Sequence, residues 1–129
     1  MKLAKTLIAA AAGMMALTSV AAAQQLNPAG EWQSTGGDMR VEVELCGDGT
    51  QLCATLTWLR DDVRSPQNVA LLNQRVVDGA RWTAVNRWRG TVNHGGEIVA
   101  GSVTQVTPDH IKVMGCKGMA CEALEFVRI

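Results

Sequence analysis

The stretch that decides the fold is Val41-Glu42-Val43-Glu44-Leu45-Cys46-Gly47-Asp48-Gly49-Thr50-Gln51-Leu52-Cys53-Ala54-Thr55-Leu56-Thr57-Trp58. Apolar and polar residues alternate on both sides of a Gly-Asp-Gly turn, the signature of two half-buried antiparallel strands. Placing Cys46 opposite Cys53 sets Leu45 against Ala54, Val43 against Leu56 and Val41 against Trp58. Those three apolar pairs share one face. Glu44 with Thr55 and Glu42 with Thr57 share the other, so one pairing sorts the side chains as a sheet over a core requires.

Outward from this hairpin the same period of two recurs. Strands are expected at residues 30–34, 39–45, 52–59, 75–77, 87–92, 97–106, 110–116 and 122–129, separated by Gly, Asn, Asp and Pro turns. Residues 60–74 break the alternation. Ser65-Pro66 followed by Val69, Leu71 and Leu72 reads as a loop with one helical turn. Near the C-terminus, pairing Cys116 with Cys121 sets Val113 against Leu124, Ile111 against Phe126 and Lys112 against Glu125, an opposite-charge cross-strand pair. The expected fold is all-β: a small antiparallel up-and-down barrel of about eight strands, with a flattened sandwich or an incomplete barrel as alternatives.

The chain has 129 residues. Its first 23 read as a secretory signal peptide: Lys2 and Lys5, an uncharged apolar run from Leu7 to Val20, then Ala21-Ala22-Ala23 before Gln24. A retained N-terminal anchor is the alternative, but polar residues follow the apolar run quickly. Cleavage leaves one domain, residues 24–129, and no transmembrane segment in the mature protein. Without Lys2 and Lys5, ten basic residues face twelve acidic ones, a balance unlike that of a nucleic-acid binder. The four cysteines, Cys46, Cys53, Cys116 and Cys121, form an even set in an exported chain. They read as two disulfides with three possible connectivities, of which the two local bridges are preferred. Their spacings contain no Cys-x-x-Cys, which argues against zinc and against thioredoxin-like chemistry. Export to the periplasm is expected, with full secretion as the alternative.

Further residues carry a resemblance. Gly30-Glu31-Trp32 opens the mature domain, and the pattern continues through Cys46-Gly47, Cys53, Trp88-x-Gly90, Gly101, Gly115-Cys116 and Cys121 to Phe126-x-Arg128. This resembles the bacterial exported family filed as domain of unknown function 2147 and, more widely, the lipocalin-like calycins. The resemblance implies a small barrel whose Gly30, Trp32 and Arg128 form the structural closure, the arginine lying across the indole as a cation–π contact. It implies no established activity.

Candidate chemistry is sparse. The chain has two histidines, His94 in a turn and His110 at a strand start. Their spacing with Glu97 and Asp109 supports no metal site. No Gly-x-Ser-x-Gly occurs, and Asp61-Asp62 read first as solvated loop charges. No catalytic residue, metal or cofactor is therefore expected. Val41, Val43, Leu56, Trp58 and Trp88 are expected to point inward and to line an apolar ligand pocket or to fill the core. Arg75, Arg81, Arg87 and Arg89 alternate with Trp82 and Trp88. They read as a strand with arginine outside and tryptophan inside, or as a contact surface for an anionic group. The leading functional expectation is a non-enzymatic binder of a small apolar or amphipathic ligand. The alternative is an interaction module for an envelope protein or the cell wall, with a packed interior, and an enzyme is third.

Overall fold

In a computed structural model, residues 24–129 are described. The proposed signal peptide, residues 1–23, lies outside the described residues. Eight strands follow one another as β1 (Gly30–Ser34), β2 (Met39–Cys46), β3 (Gln51–Leu59), β4 (Arg75–Ala84), β5 (Arg87–His94), β6 (Glu97–Thr107), β7 (His110–Lys117) and β8 (Ala120–Arg128). Each pairs antiparallel with its neighbours, and β1 pairs with β8, so the sheet closes into a barrel. Closure leaves no free sheet edge among the described residues.

The turns β2–β3, β4–β5 and β6–β7 lie at one end of the barrel, together with the chain entering β1 and leaving β8. The turns β1–β2, β5–β6 and β7–β8 lie at the other, with residues 60–74 between β3 and β4. That long connection holds a 3-10 turn, Asp61–Val63, and one helical turn, α1 (Pro66–Val69). Ser65 caps α1 by accepting a hydrogen bond from the Asn68 amide, and Pro66 opens it, where a missing N–H costs nothing.

Both local disulfides are present, Cys46–Cys53 and Cys116–Cys121. The second hairpin has the expected register, with Cys116 opposite Cys121, Lys112 opposite Glu125 and Ile111 opposite Phe126. The first differs. Glu44, not Cys46, lies opposite Cys53, and Cys46 lies opposite Gln51. The bridge therefore runs diagonally, over a Cα–Cα distance of 6.0 Å. A slip of two residues preserves the faces, so Val41, Val43, Ala54 and Leu56 still point inward and are buried.

The faces change only at a bulge. Val41 pairs with Leu56, but the next pair is Arg40 with Trp58, leaving Thr57 extra on β3. One unpaired residue inverts the alternation beyond it. Leu59 turns into the core, and Trp58 turns outward, half-buried, with the Arg40 guanidinium 4.7 Å from its ring centre. The expectation that Trp58 faces the interior is thus corrected. β4 is also longer than the alternation suggests. Gly79, at φ +72°, lies within a shift of register between Val77 and Arg81, and this bulge carries the strand on to Ala84.

Gly101 lies between Gly90 and Gly115 in the ladders of β5, β6 and β7. A Cβ there would fall within 3.1 Å of the Met114 carbonyl oxygen and closer still to Val92 Cγ2. Absence of side chains along this row lets the sheet curl sharply, as a narrow barrel requires.

Candidate functional site

The closed end is built around Trp32, which is 0% exposed. Its indole N–H donates to the Pro28 carbonyl at 3.0 Å. Arg128 is its cross-strand partner, with the guanidinium carbon 4.4 Å from the ring centre. The remaining guanidinium protons go to carbonyls: Nη1 to Ala29 at 2.6 Å, Nη2 to Asn27 at 2.8 Å, and Nε to Pro108 at 3.1 Å. Gly30 sits beneath it at φ +137°, where a Cβ would come within 2.5 Å of Arg128 Nη1. A side chain at position 30 would displace the arginine as well as strain the backbone.

Two further residues complete this end, and the sequence reading passed over both. Asn86, in the β4–β5 turn at φ 60°, accepts from the Leu26 amide at 2.8 Å and donates to the Gln24 carbonyl at 3.0 Å. Buried Gln105 donates to the Asn27 carbonyl at 2.9 Å. Residues 24–29 are thereby strapped across the barrel base. The available signal was Asn86 itself, since asparagine tolerates the left-handed conformation of a tight turn. Trp88 plugs the same half: it is 1% exposed, and its indole N–H donates to the Thr50 carbonyl at 2.9 Å.

Above Trp32 the interior is hollow. A cavity of about 220 Å³ is enclosed by Val41, Val43, Ala54, Leu56, Val77, Val103 and Ile111 on the walls. Phe126 and Trp32 also line it, and Val63, Asn68 and Leu71 come from the 60–74 loop. Of the expected pocket residues, Val41, Val43 and Leu56 line this space. Trp58 is outside the barrel, and Trp88 is not among the lining residues. The polar groups on the lining, Asp38, Asn68, Asn93 and His94, come from the β1–β2 turn, the loop and the end of β5.

A second hollow of about 260 Å³ shares Val92, His94, Val113 and Leu124 with the first. Its rim is charged, with Glu97, Lys117 and Glu122 alongside His94. Lys117 Nζ pairs with Glu97, whose hydrogen bond and negative charge raise the lysine pKa above its ordinary value. The space is therefore apolar within and ionic at the mouth, an arrangement suited to an amphipathic guest.

The 60–74 loop is tied over the first cavity, which Val63, Asn68 and Leu71 line. Arg60 donates to the Gly36 carbonyl through Nη1 at 3.1 Å and to Asp62 Oδ2 through Nη2 at 2.9 Å. The hydrogen bond from Arg60 lowers the Asp62 pKa below its ordinary value. At the β1–β2 turn, buried Ser34 accepts from the Asp38 and Met39 amides and donates to Asp38 Oδ1 at 2.5 Å.

The polar residues considered for catalysis or metal binding are not brought together. His94 and Glu97 pair across β5–β6 at the mouth, whereas Asp109 and His110 lie at the base. Asp61 and Asp62 face Arg64 and Arg60. Among the described residues, no group of three or more His, Cys, Asp or Glu side chains is placed to hold a metal ion. No helix of the described residues is long and apolar enough to cross a membrane.

Comparison of the chain with protein-family models, with curated proteins and with solved structures gave no match. Its closed eight-stranded antiparallel barrel, sealed by Trp32 and Arg128, is consistent with the calycin and lipocalin fold in general.

Proposed function

We propose that this protein is a non-enzymatic binder of a small apolar or amphipathic molecule in the bacterial cell envelope. The observation that carries this reading is the hollow over Trp32: aliphatic walls, polar groups near the opening, and a loop tied across it. Burying apolar ligand surface there gains about 25 cal/mol per Å² removed from water. The volume suits a short acyl chain or a single ring system, with a polar head reaching Lys117, Glu97 and Glu122. Export rests on the Lys2–Ala23 sequence pattern and agrees with two disulfides, which persist in oxidising compartments. Membership of domain of unknown function 2147 rests on the motif residues from Gly30 to Arg128.

The test is native mass spectrometry of protein purified gently from its own envelope, followed by solvent extraction. A stoichiometric small molecule that competes with an apolar fluorescent probe supports the binder reading and names the ligand class. A ligand-free mass, together with no probe uptake, moves the protein to the interaction-module reading.

A further inference from the structure

We infer that the closed end of the barrel docks on a bilayer surface containing anionic lipid, through Arg81, Arg87 and Arg89 with Trp82, Val85 and Val106. Residues 79–96 contain three arginines and no carboxylate, in a chain with twelve acidic residues. The fold gathers these arginines on one outer face. Arg87 and Arg89 flank inward-facing Trp88, and Arg81 lies directly opposite Arg89 in the β4–β5 ladder. All three are exposed, and among the described residues none forms an ion pair. Like charges directly opposite across two strands are destabilising. The pair is therefore a local cost to the barrel, which an anionic partner would turn into attraction.

The exposed apolar groups at the same end of the barrel choose the partner. Trp82 lies opposite Trp88, on the inner face of β4, and is 49% exposed at the barrel's lower rim, while Val85 and Val106 are 44% and 56% exposed. Val85 is in the β4–β5 turn. Val106 is adjacent, because the Gln105 amide donates to the Asn86 carbonyl at 2.8 Å. A soluble polyanion would use the arginines and leave these three in water. A bilayer surface uses both: phosphates for the guanidiniums, and the interfacial layer for an indole and aliphatic tips. Docking by the closed end leaves the loop-covered mouth facing away from the lipid.

The experiment is flotation of the mature protein with vesicles of phosphatidylcholine alone and of phosphatidylcholine with phosphatidylglycerol. Partitioning onto the mixed vesicles only is expected, falling about fivefold for each of Arg81→Gln, Arg87→Gln and Arg89→Gln. Trp82→Ala should weaken it, whereas Trp58→Ala, an outward tryptophan at the other end, should not. The arginine variants should melt no lower than the wild type, which separates lost docking from lost folding. Equal partitioning on both vesicle types, or a triple arginine variant that floats like the wild type, overturns the inference. So does heparin-sensitive binding that Trp82→Ala leaves intact, which assigns the arginines to a soluble polyanion instead.

Discussion

Arg128 lies directly opposite Trp32 across the β1–β8 seam, its guanidinium 4.4 Å from the indole centre and its N–H groups spent on the carbonyls of Asn27, Ala29 and Pro108. One side chain thus covers a buried aromatic ring, holds the incoming chain and satisfies the β6–β7 turn. Replacing Trp32 with Ala should cost about 3–5 kcal/mol, as large core truncations do. Arg128→Leu should cost about 2–3 kcal/mol, because it removes the cation–π contact and strands polar carbonyls. Urea denaturation measures both. A loss near that of an ordinary surface substitution at Arg128 would show that the contact does not support the base.

The two disulfides close short loops, and each should contribute about 2–2.5 kcal/mol on the loop-entropy account. They differ in access: Cys53 is 1% exposed, whereas Cys121 is exposed. Mild reductant followed by timed alkylation and peptide mass mapping should therefore open Cys116–Cys121 before Cys46–Cys53. The reverse order would mean that the base of the barrel opens more readily than its mouth.

Filling the cavity should abolish uptake of an apolar probe while leaving the domain folded. Ala54→Leu, on the inner wall, should reduce probe affinity at least tenfold for a modest overpacking cost of about 1–3 kcal/mol. Trp58→Ala should leave affinity unchanged, since that ring lies outside under Arg40. Fluorescence titration distinguishes the two positions, and equal losses would contradict the inward and outward assignments made by the β3 bulge.

Acid should loosen the loop over the mouth. Asp62 has a folded-state pKa below its ordinary value of 3.8, chiefly through the hydrogen bond from Arg60. Its contribution is present in full above that value and is lost as the pH falls through the folded pKa. Amide exchange or proteolysis within residues 60–74 should therefore rise below about pH 4, and Arg60→Gln should raise it at neutral pH as well. An acid dependence unchanged in that variant would place the responsible carboxylate elsewhere.

Much of the barrel was legible because alternation and cysteine spacing act locally. The Cys116–Cys121 hairpin follows directly from both, and the Trp32–Arg128 pair follows from a motif at each end of the chain. Trp58 was misread because a bulge is one residue of surplus, and alternation on either side looks equally good. The strap over the base was missed for a different reason. Its donors, Asn86 and Gln105, serve carbonyls about 60 to 80 residues away, and no local pattern announces them. The cavity depends on the difference between the barrel interior and the side chains filling it, a quantity set by curvature at the Gly90–Gly101–Gly115 row rather than by composition.

Every strand pairing in the barrel joins sequence neighbours except one, β1 with β8. That seam has three residue pairs and spans nearly the whole described chain. Closing such a large loop carries the greatest chain-entropy cost of any contact in the fold, so the last step of assembly should be the slow one. A circular permutant that links the two ends at the base and opens the chain at the exposed Gly118-Met119 turn would make that seam a local hairpin. It would pass the long-range closure to β7 and β8, whose eight-pair ladder is already joined by Cys116–Cys121. Refolded with that disulfide intact, it should fold faster than the natural order of strands, and with the bridge reduced it should lose that advantage.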